Sequence, residues 1–398
     1  MNYILEKFLA EEKAEAIRKI NVIEVVENIL ERLSEREQDI ISRRFGLLGN
    51  KKETLAAVGK DHQLTRERIR QVEKAGLDKL RDIKRFDYVD VLENVILDLI
   101  KEHGGLIEEE YLLNLLLRIF DEYGDEIKEK DSKNHFNFLI SNLFDNFEKL
   151  STDKFKKSYK LKNERIEHLE ELAHDLINSI NELREALETD EVIDKANNLE
   201  SYKKNKNKFN SNKKIDISDI LKDNFFEEDA EKINQNKELY SILMAVRELE
   251  QNKFGRWGLQ DWTETKPKTI NDKIYLVLKY FGFPMHFREI AERINELKFD
   301  KRRANPASVH NELIAGDNYV LIGRGVYALR EWEEKGSQHD EVASIIEDIL
   351  EKEKSELKRE EIVERVLEKA KIRKNLINLA LMNDKKFEKI DDKYRVRR

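Results

Sequence analysis

The residues best placed for chemistry lie in one short basic run, Thr65-Arg66-Glu67-Arg68-Ile69-Arg70-Gln71-Val72-Glu73. At about 100° per residue on a helix, Arg66, Glu67, Arg70 and Gln71 share one side, while Ile69 and Val72 turn away and can pack inward. An arginine fork matches the acceptor edge of guanine, a glutamine amide matches adenine, and a glutamate can accept from the cytosine amino group. The chemistry on offer is hydrogen-bond reading of base edges in a DNA major groove. A solvated amphipathic helix has the same periodicity, so spacing leaves both open.

Elements upstream would have to position that run. Val22 to Leu30 carries apolar residues at helical spacing, and Ser34 with Glu37 is a capping box that starts a new helix. That helix runs through Ile40 and Ile41 to Arg44 and stops near Gly46. Thr54-Leu55-Ala56-Ala57-Val58-Gly59 reads as a short helix ended by its glycine, and Thr65 as the N-cap of a last helix, Arg66 to Arg81. Two short helices joined by a brief turn, the second strongly basic, form a helix-turn-helix layout.

The segment resembles the fourth conserved region of bacterial RNA polymerase sigma factors. Residues 65–73 match the recognition helix; Arg36-Glu37, Arg43-Arg44-Phe45-Gly46-Leu47 and Thr54-Leu55 with Val58-Gly59 fall at the family's spacing, and the match covers residues 33–81. The resemblance implies promoter-type double-stranded DNA as ligand, read at the upstream element, and RNA polymerase core as partner through the flap of its β subunit. Carried over by position, Arg66, Glu67, Arg70 and Gln71 face bases, while Arg44, Leu55, Thr65 and Arg68 meet the DNA backbone. Ala56 and Ala57 replace an acidic pair often found there, which puts polymerase or activator contacts in question more than base reading. The 32 residues ahead of the match are too few for an aromatic-rich promoter-melting domain, and Trp257, Trp262 and Trp332 lie far downstream. The expectation is a chain that does not open promoters by itself.

With only 14 glycines and 3 prolines in 398 residues, the chain lacks the punctuation of a many-stranded sandwich or barrel. Zero cysteines exclude disulfide frameworks and thiolate metal sites. The net charge of −8 hides a segregation: residues 64–85 hold eight Lys/Arg against four Asp/Glu, residues 87–150 six against sixteen, and residues 195–214 seven against one. A phosphate backbone is attracted to the first and third stretches and repelled by the second, though solvated helix faces carry such runs too. Lys203 to Lys214 reads as a flexible loop. The longest apolar stretch, Tyr111 to Phe120, is broken by Asn114 and Arg118, and the first residues, with Glu6, Lys7, Glu11 and Glu12, lack a signal-peptide layout. A cytoplasmic, nucleoid-associated protein without membrane contact is expected.

Lys268 to Trp332 reads as three helices (around Ile274–Tyr280, Phe287–Leu297 and Ser308–Ile314) closed by a hairpin, Tyr319–Ile322 and Val326–Leu329, turning at Gly323-Arg324-Gly325. That is a winged helix. Pro284-Met285-His286-Phe287-Arg288-Glu289-Ile290 and Gly323-Arg324-Gly325-Val326-Tyr327-Ala328-Leu329 resemble the HARE-HTH domain, known from the delta subunit of RNA polymerase and from chromatin and restriction proteins. The family includes DNA-binding and protein-binding members. Lys301, Arg302, Arg303 and Arg324 are candidates for secondary nucleic-acid contacts, with Ser308, His310 and Asn311 on the third helix; solvated arginines and an ordinary surface histidine fit as well.

The wing pattern recurs. Arg256 to Trp262 parallels Val326 to Trp332, Phe147–Leu150 with Tyr159–Leu161 ends the acidic segment, and Phe387–Ile390 with Tyr394–Val396 follows helices around Val342–Leu350, Arg359–Lys369 and Lys374–Met382. The wing aromatics are read as packing residues rather than base-stacking ones. The fold class expected is mainly α, a sigma region 4-type helix-turn-helix followed by several winged-helix modules with short β-hairpin wings. The divisions are 1–32, an N-terminal helical segment; 33–85, the helix-turn-helix; 86–163, an acidic winged module; 164–265, a divergent module with a Lys/Asn-rich loop; 266–335, the HARE-HTH-like module; and 336–398, a last winged module.

No phosphate-cradling loop or dinucleotide fingerprint is present, the histidines His168 and His174 are not at metal-pair spacing, and no carboxylate pair stands out. No enzyme, cofactor, metal or small-molecule substrate is expected. The function expected is a DNA-binding transcription regulator acting with RNA polymerase in initiation. The alternatives are a delta-like polymerase accessory subunit working through protein contacts and a phosphate-only DNA-architecture protein.

Overall fold

Local capping chemistry sets four helices between Val22 and Arg81 in the computed structural model, which describes residues 18–81, 88–122, 124–209, 215–221, 228–353, 356–369, 377–378, 380–381, 386–390 and 393–397. Helix α1 (Val22–Leu30) begins where Asn21 Oδ1 accepts from the Ile23 and Glu24 amides at 2.9 and 3.3 Å. Helix α2 (Glu35–Phe45) opens on the expected box, the Glu37 carboxylate accepting from the Ser34 amide and hydroxyl, and closes on Gly46 at φ 70°. Thr54 caps α3 (Leu55–Asp61), and Thr65 caps α4 (Arg66–Arg81) by accepting from the Arg68 amide at 3.2 Å.

One expectation fails here. Gly59 does not end α3, which continues to Asp61. A Cβ at Gly59 would lie 2.7 Å from the Leu64 carbonyl oxygen, so the bare glycine lets the turn fold back onto the helix. The Leu64 amide then donates to Gly59 O at 2.8 Å, and Gln63 adopts φ 55°. Ile40, Val58 and Ile69 form the small core beneath, with Leu55, Leu64 and Val72 packed against it. Gly76 plays the same part for α2 and α4: a Cβ there would meet Ile41 Cδ1 at 2.9 Å.

Four three-stranded antiparallel sheets follow among the described residues, all with the order first–third–second. The first module is α5 (Val89–Glu102), β1 (Leu106–Glu108), α6 (Glu109–Ile119), α7 (Glu126–Asn142), β2 (Phe147–Leu150) and β3 (Ser158–Leu161). The second is α8 (Glu167–Leu183), β4 (Leu187–Glu188) and α9 (Thr189–Asn198). An insertion of short helices α10 (Glu200–Asn205), α11 (Ser218–Leu221) and α12 (Ala230–Gln235) precedes its third main helix, α13 (Lys237–Ala245), and its wing, β5 (Leu249–Gln251) and β6 (Arg256–Leu259). The third has α14 (Ile270–Phe281), β7 (Met285–His286), α15 (Phe287–Leu297), α16 (Pro306–Ala315), β8 (Tyr319–Gly323) and β9 (Val326–Leu329). The fourth has α17 (Gly336–Glu353), β10 (Leu357–Lys358), α18 (Arg359–Lys369), β11 (Phe387–Ile390) and β12 (Lys393–Val396); most of the helix expected at Lys374–Met382 lies outside the described residues.

Register makes the modules equivalent residue by residue. Ile107 faces Tyr159, Leu187 faces Trp257, Met285 faces Tyr327 and Leu357 faces Tyr394. All eight are buried, so the wing aromatic is the plug between strand and helices in each module. The chain is mainly α with helix-turn-helix and winged elements, as its composition and spacing require. The expected loop at Lys203–Lys214 is corrected in part: Lys203–Asn205 end α10 and Lys206–Lys208 form a 3₁₀ turn, because Tyr202 stacks on Phe209 at 5.3 Å and holds the segment down; residues 210–214 lie outside the described set.

The chain divides into two compact units, one reaching Gln251 and including Gly255–Gln260, the other formed by Asn252–Phe254 and Asp261–Arg398. Among the described residues no helix is long and apolar enough to cross a membrane.

Candidate nucleic-acid interface

All four residues expected to read bases are exposed on the first two turns of α4, with Ile69 fully buried behind them. They are pre-arranged in pairs. Arg70 Nε and Nη2 donate to the two carboxylate oxygens of Glu67 at 2.9 and 2.6 Å. Arg68 Nη1 donates to Gln71 Oε1 at 3.1 Å. The Arg70 guanidinium holds the Glu67 carboxyl below the usual carboxylate range, so the pair stays ionised. Both partners are more than half exposed, so the pairing is weak enough to exchange for base edges.

The residues assigned to the DNA backbone sit differently. Arg68 is exposed; the Thr65 hydroxyl is occupied as the cap of α4. Leu55 packs its side chain on the Ile40–Val58–Ile69 core, leaving only its main chain to approach a phosphate. Arg44 is a brace: its Nε is 3.2 Å from Glu73 on α4 and its Nη1 donates to the Glu53 carbonyl, with the side chain only 24% exposed. Sequence reasoning missed its neighbour Arg43, which binds Glu53 at 2.8 and 2.9 Å and also pairs with Asp61, tying α2 to both ends of α3.

The far side of the helix-turn-helix is held by the first winged module, and its third helix does the holding. Phe138 of α7 meets Phe45 with ring centroids 5.1 Å apart, and Asn134 Nδ2 donates to the Gly46 carbonyl at 3.0 Å. The Leu48 amide donates to His135 Nε2 at 3.3 Å, and Arg81, ending α4, donates to the Asn142 carbonyl at 2.7 Å. The second module repeats the device. Its third helix α13 is buried along most of its length; Ser241 Oγ donates to Leu106 O at 2.6 Å, and Lys237 forms a buried ion pair with Glu102 at 2.7 Å. These two third helices are consumed by protein packing. A sequence signal existed: Phe136–Ile140 and Leu239–Ala245 are dense in apolar residues, broken only by Asn137 and Ser241, the mark of a helix buried on most sides.

In the third module, Lys301, Arg302 and Arg303 are exposed just before α16, and Arg324 is exposed at the β8–β9 turn. Ser308 and Asn311 also face outward, whereas His310 is half-buried, stacked on Phe287 at 4.5 Å and edge-on to Tyr327 at 5.9 Å. Trp257, Tyr327 and Trp332 are buried and Trp262 half-buried; the Trp257 indole donates to Thr189 Oγ1 at 2.9 Å.

Comparison with known proteins finds likeness in the segment that carries these residues. Residues 29–82 match the family sigma-70, region 4. The chain is 46% identical over 57 residues to RNA polymerase sigma factor RpoD of Helicobacter pylori, covering 14% of this chain and 8% of that protein. It is 41% identical over 76 residues to RNA polymerase sigma factor RpoS of Coxiella burnetii, 19% of this chain and 22% of that one. Against RNA polymerase principal sigma factor HrdD of Streptomyces viridifaciens it is 44% identical over 62 residues, 16% of this chain and 19% of the relative. The chain thus spans less than a quarter of the length of these relatives. No solved structure matches it. Residues 29–82, which include α2, α3 and the exposed quartet on α4, form a sigma-70 region 4 domain.

Proposed function

We propose that this chain is a cytoplasmic, DNA-binding transcription regulator that reads promoter-type DNA through α4 and acts with RNA polymerase core in initiation. Arg66, Glu67, Arg70 and Gln71 read bases; Arg68 and the main chain at Leu55 meet phosphates; Arg44 acts chiefly by holding α2 against α4. One observation carries the reading: the quartet is exposed while the opposite side of the same domain is already covered by α7. The sigma-factor relatives support polymerase as partner, and docking on the β-subunit flap is the finer part of that proposal. Selection of DNA through α4 is the part of sigma-factor action assigned to this segment. The HARE-HTH character of residues 266–335 rests on the two sequence words around Met285 and Tyr327.

The test is a fluorescence-anisotropy titration of the whole chain against a duplex bearing an upstream promoter element and a scrambled duplex. A preference of at least tenfold, about 1.4 kcal/mol, is expected, and Arg70→Ala should erase most of it. Equal affinity of wild type for both duplexes at low and high salt sinks base reading. A second reading, an accessory subunit working through protein contacts, draws on the burial of α7 and α13 in protein packing. Binding of core polymerase without DNA, measured with the full chain, separates it from the first.

A further inference from the structure

In the third module the third helix, α16, carries a face without charge. At about 100° per residue, Ala307, Ser308, Ile314 and Ala315 lie within about 60° of Asn311, and all five are exposed. The one Asp, Glu, Lys or Arg of the helix, Glu312, is half-buried on its flank. Neither the Asn311 amide nor the Ser308 hydroxyl makes a hydrogen bond among the described residues. Asn295 on α15, by contrast, is spent on the main chain of Ala304 through both side-chain atoms, at 3.0 and 2.8 Å. An uncommitted amide amid small and aliphatic side chains matches an adenine edge beside a thymine methyl group.

Cations frame that face, and contacts inside the module fix where they stand. His310, next to Asn311, stacks on Phe287 at 4.5 Å, and the Arg288 guanidinium lies 5.7 Å from the centre of the same Phe287 ring. The Phe287 amide donates to the Gly325 carbonyl at 3.0 Å, which brings the wing turn and the exposed Arg324 to that side of α16. Arg302 and Arg303 are exposed at the other approach, just before the N-cap Asn305. None of these four arginines forms a salt bridge among the described residues. Lys273, Lys279 and Arg293 of the same module are all paired, with Asp300, Glu264 and Glu296. Guanidinium groups left without carboxylates around an uncharged polar helix face suit the phosphates that border a groove. We propose that the third module is a second duplex-DNA site. Helix α16 enters the major groove and prefers A·T pairs through Asn311, with Ala307 and Ile314 against thymine methyl groups, while Arg288, Arg302, Arg303 and Arg324 hold the flanking phosphates. This goes beyond the reading given to α4 and needs no fixed arrangement of the two compact units, since each site meets DNA through its own residues.

Anisotropy titrations of the full chain carrying Arg70→Ala and Gln71→Ala, which disable base reading by α4, test it. The probes are two duplexes without an upstream promoter element, one with a central A·T run and one of G·C pairs only. Binding should favour the A·T duplex about fivefold or more. Asn311→Ala, which puts a good helix former at an exposed position, should remove that preference and spare the affinity for G·C. Arg302→Glu with Arg303→Glu should weaken both duplexes about tenfold or more and flatten the salt dependence. Equal affinity for the two duplexes, or an A·T preference that survives Asn311→Ala, overturns base reading by α16. Unchanged binding in the double arginine variant, or no binding of either duplex before it is introduced, overturns the site altogether. The reading given to α4 stands or falls separately, on the upstream-element preference of the wild-type chain.

Discussion

Arg70 and Arg68 sit two positions apart on α4, yet the consequences of losing them differ. Arg70 is forked onto Glu67 and can trade that fork for a guanine edge; Arg68 points along the helix to Gln71. Arg68→Ala should therefore weaken all duplexes alike and reduce the salt slope by about one counterion, while Arg70→Ala costs about 1–3 kcal/mol on the preferred site alone. Anisotropy titrations at several salt concentrations separate the two. Arg44 is a third case. Bridging Glu73 and the Glu53 carbonyl, it belongs to the fold, so Arg44→Ala should lower the stability of the chain by about 1–3 kcal/mol in urea titrations, beyond any effect on DNA. Gly59→Ala should also destabilise, by about 1–3 kcal/mol, because the added methyl meets the Leu64 carbonyl at 2.7 Å; a thermal melt reads it directly.

At the scale of elements, the junction of α7 with the helix-turn-helix governs how firmly α4 is presented. His135, buried in that junction, is neutral with both nitrogens committed: Nδ1–H donates to the Asp131 carbonyl at 2.7 Å and Nε2 accepts from Leu48. Burial lowers its pKa below the ordinary histidine value, against the opposing pull of Asp131, Glu122 and Glu27. The unfolded chain takes up this proton at about pH 6.5 while the folded one resists it. Between those two values the unfolded state binds more protons, so this contribution is full above about pH 7 and is lost as the pH falls below about 6.5. Urea midpoints should drop between about pH 7.5 and pH 5.5, and the drop should shrink in His135→Gln, whose amide no longer titrates. Phe138→Ala empties the other half of the junction and should cost about 3–5 kcal/mol.

Whole-molecule behaviour follows from the division into two compact units. Calorimetry should resolve two transitions, since cooperativity is bounded by contiguous cores. Phe138→Ala should move the transition of the unit holding the helix-turn-helix, and Leu313→Ala, which hollows the core under α16, the other. Two melts that shift together in both variants would show a single cooperative block.

The sequence by itself determined much of this protein. The capping residues Ser34, Thr54 and Thr65 act locally and fixed helix starts; the sidedness of Arg66, Glu67, Arg70 and Gln71 follows from helical pitch; and the repeating wing words placed a buried aromatic in each sheet. These are short-range effects, legible because the partners lie within a few residues. Gly59 was misread because its reason is a carbonyl folding back from Leu64, a contact that spacing does not encode. Only the tertiary structure decided what the third helices do. An apolar helix face says that something covers it, without saying what. That α7 covers the helix-turn-helix and that α13 covers the first module through Ser241 and Lys237 are pairings between residues up to 135 positions apart. Packing shape and buried hydrogen bonds settle such pairings once the chain has collapsed.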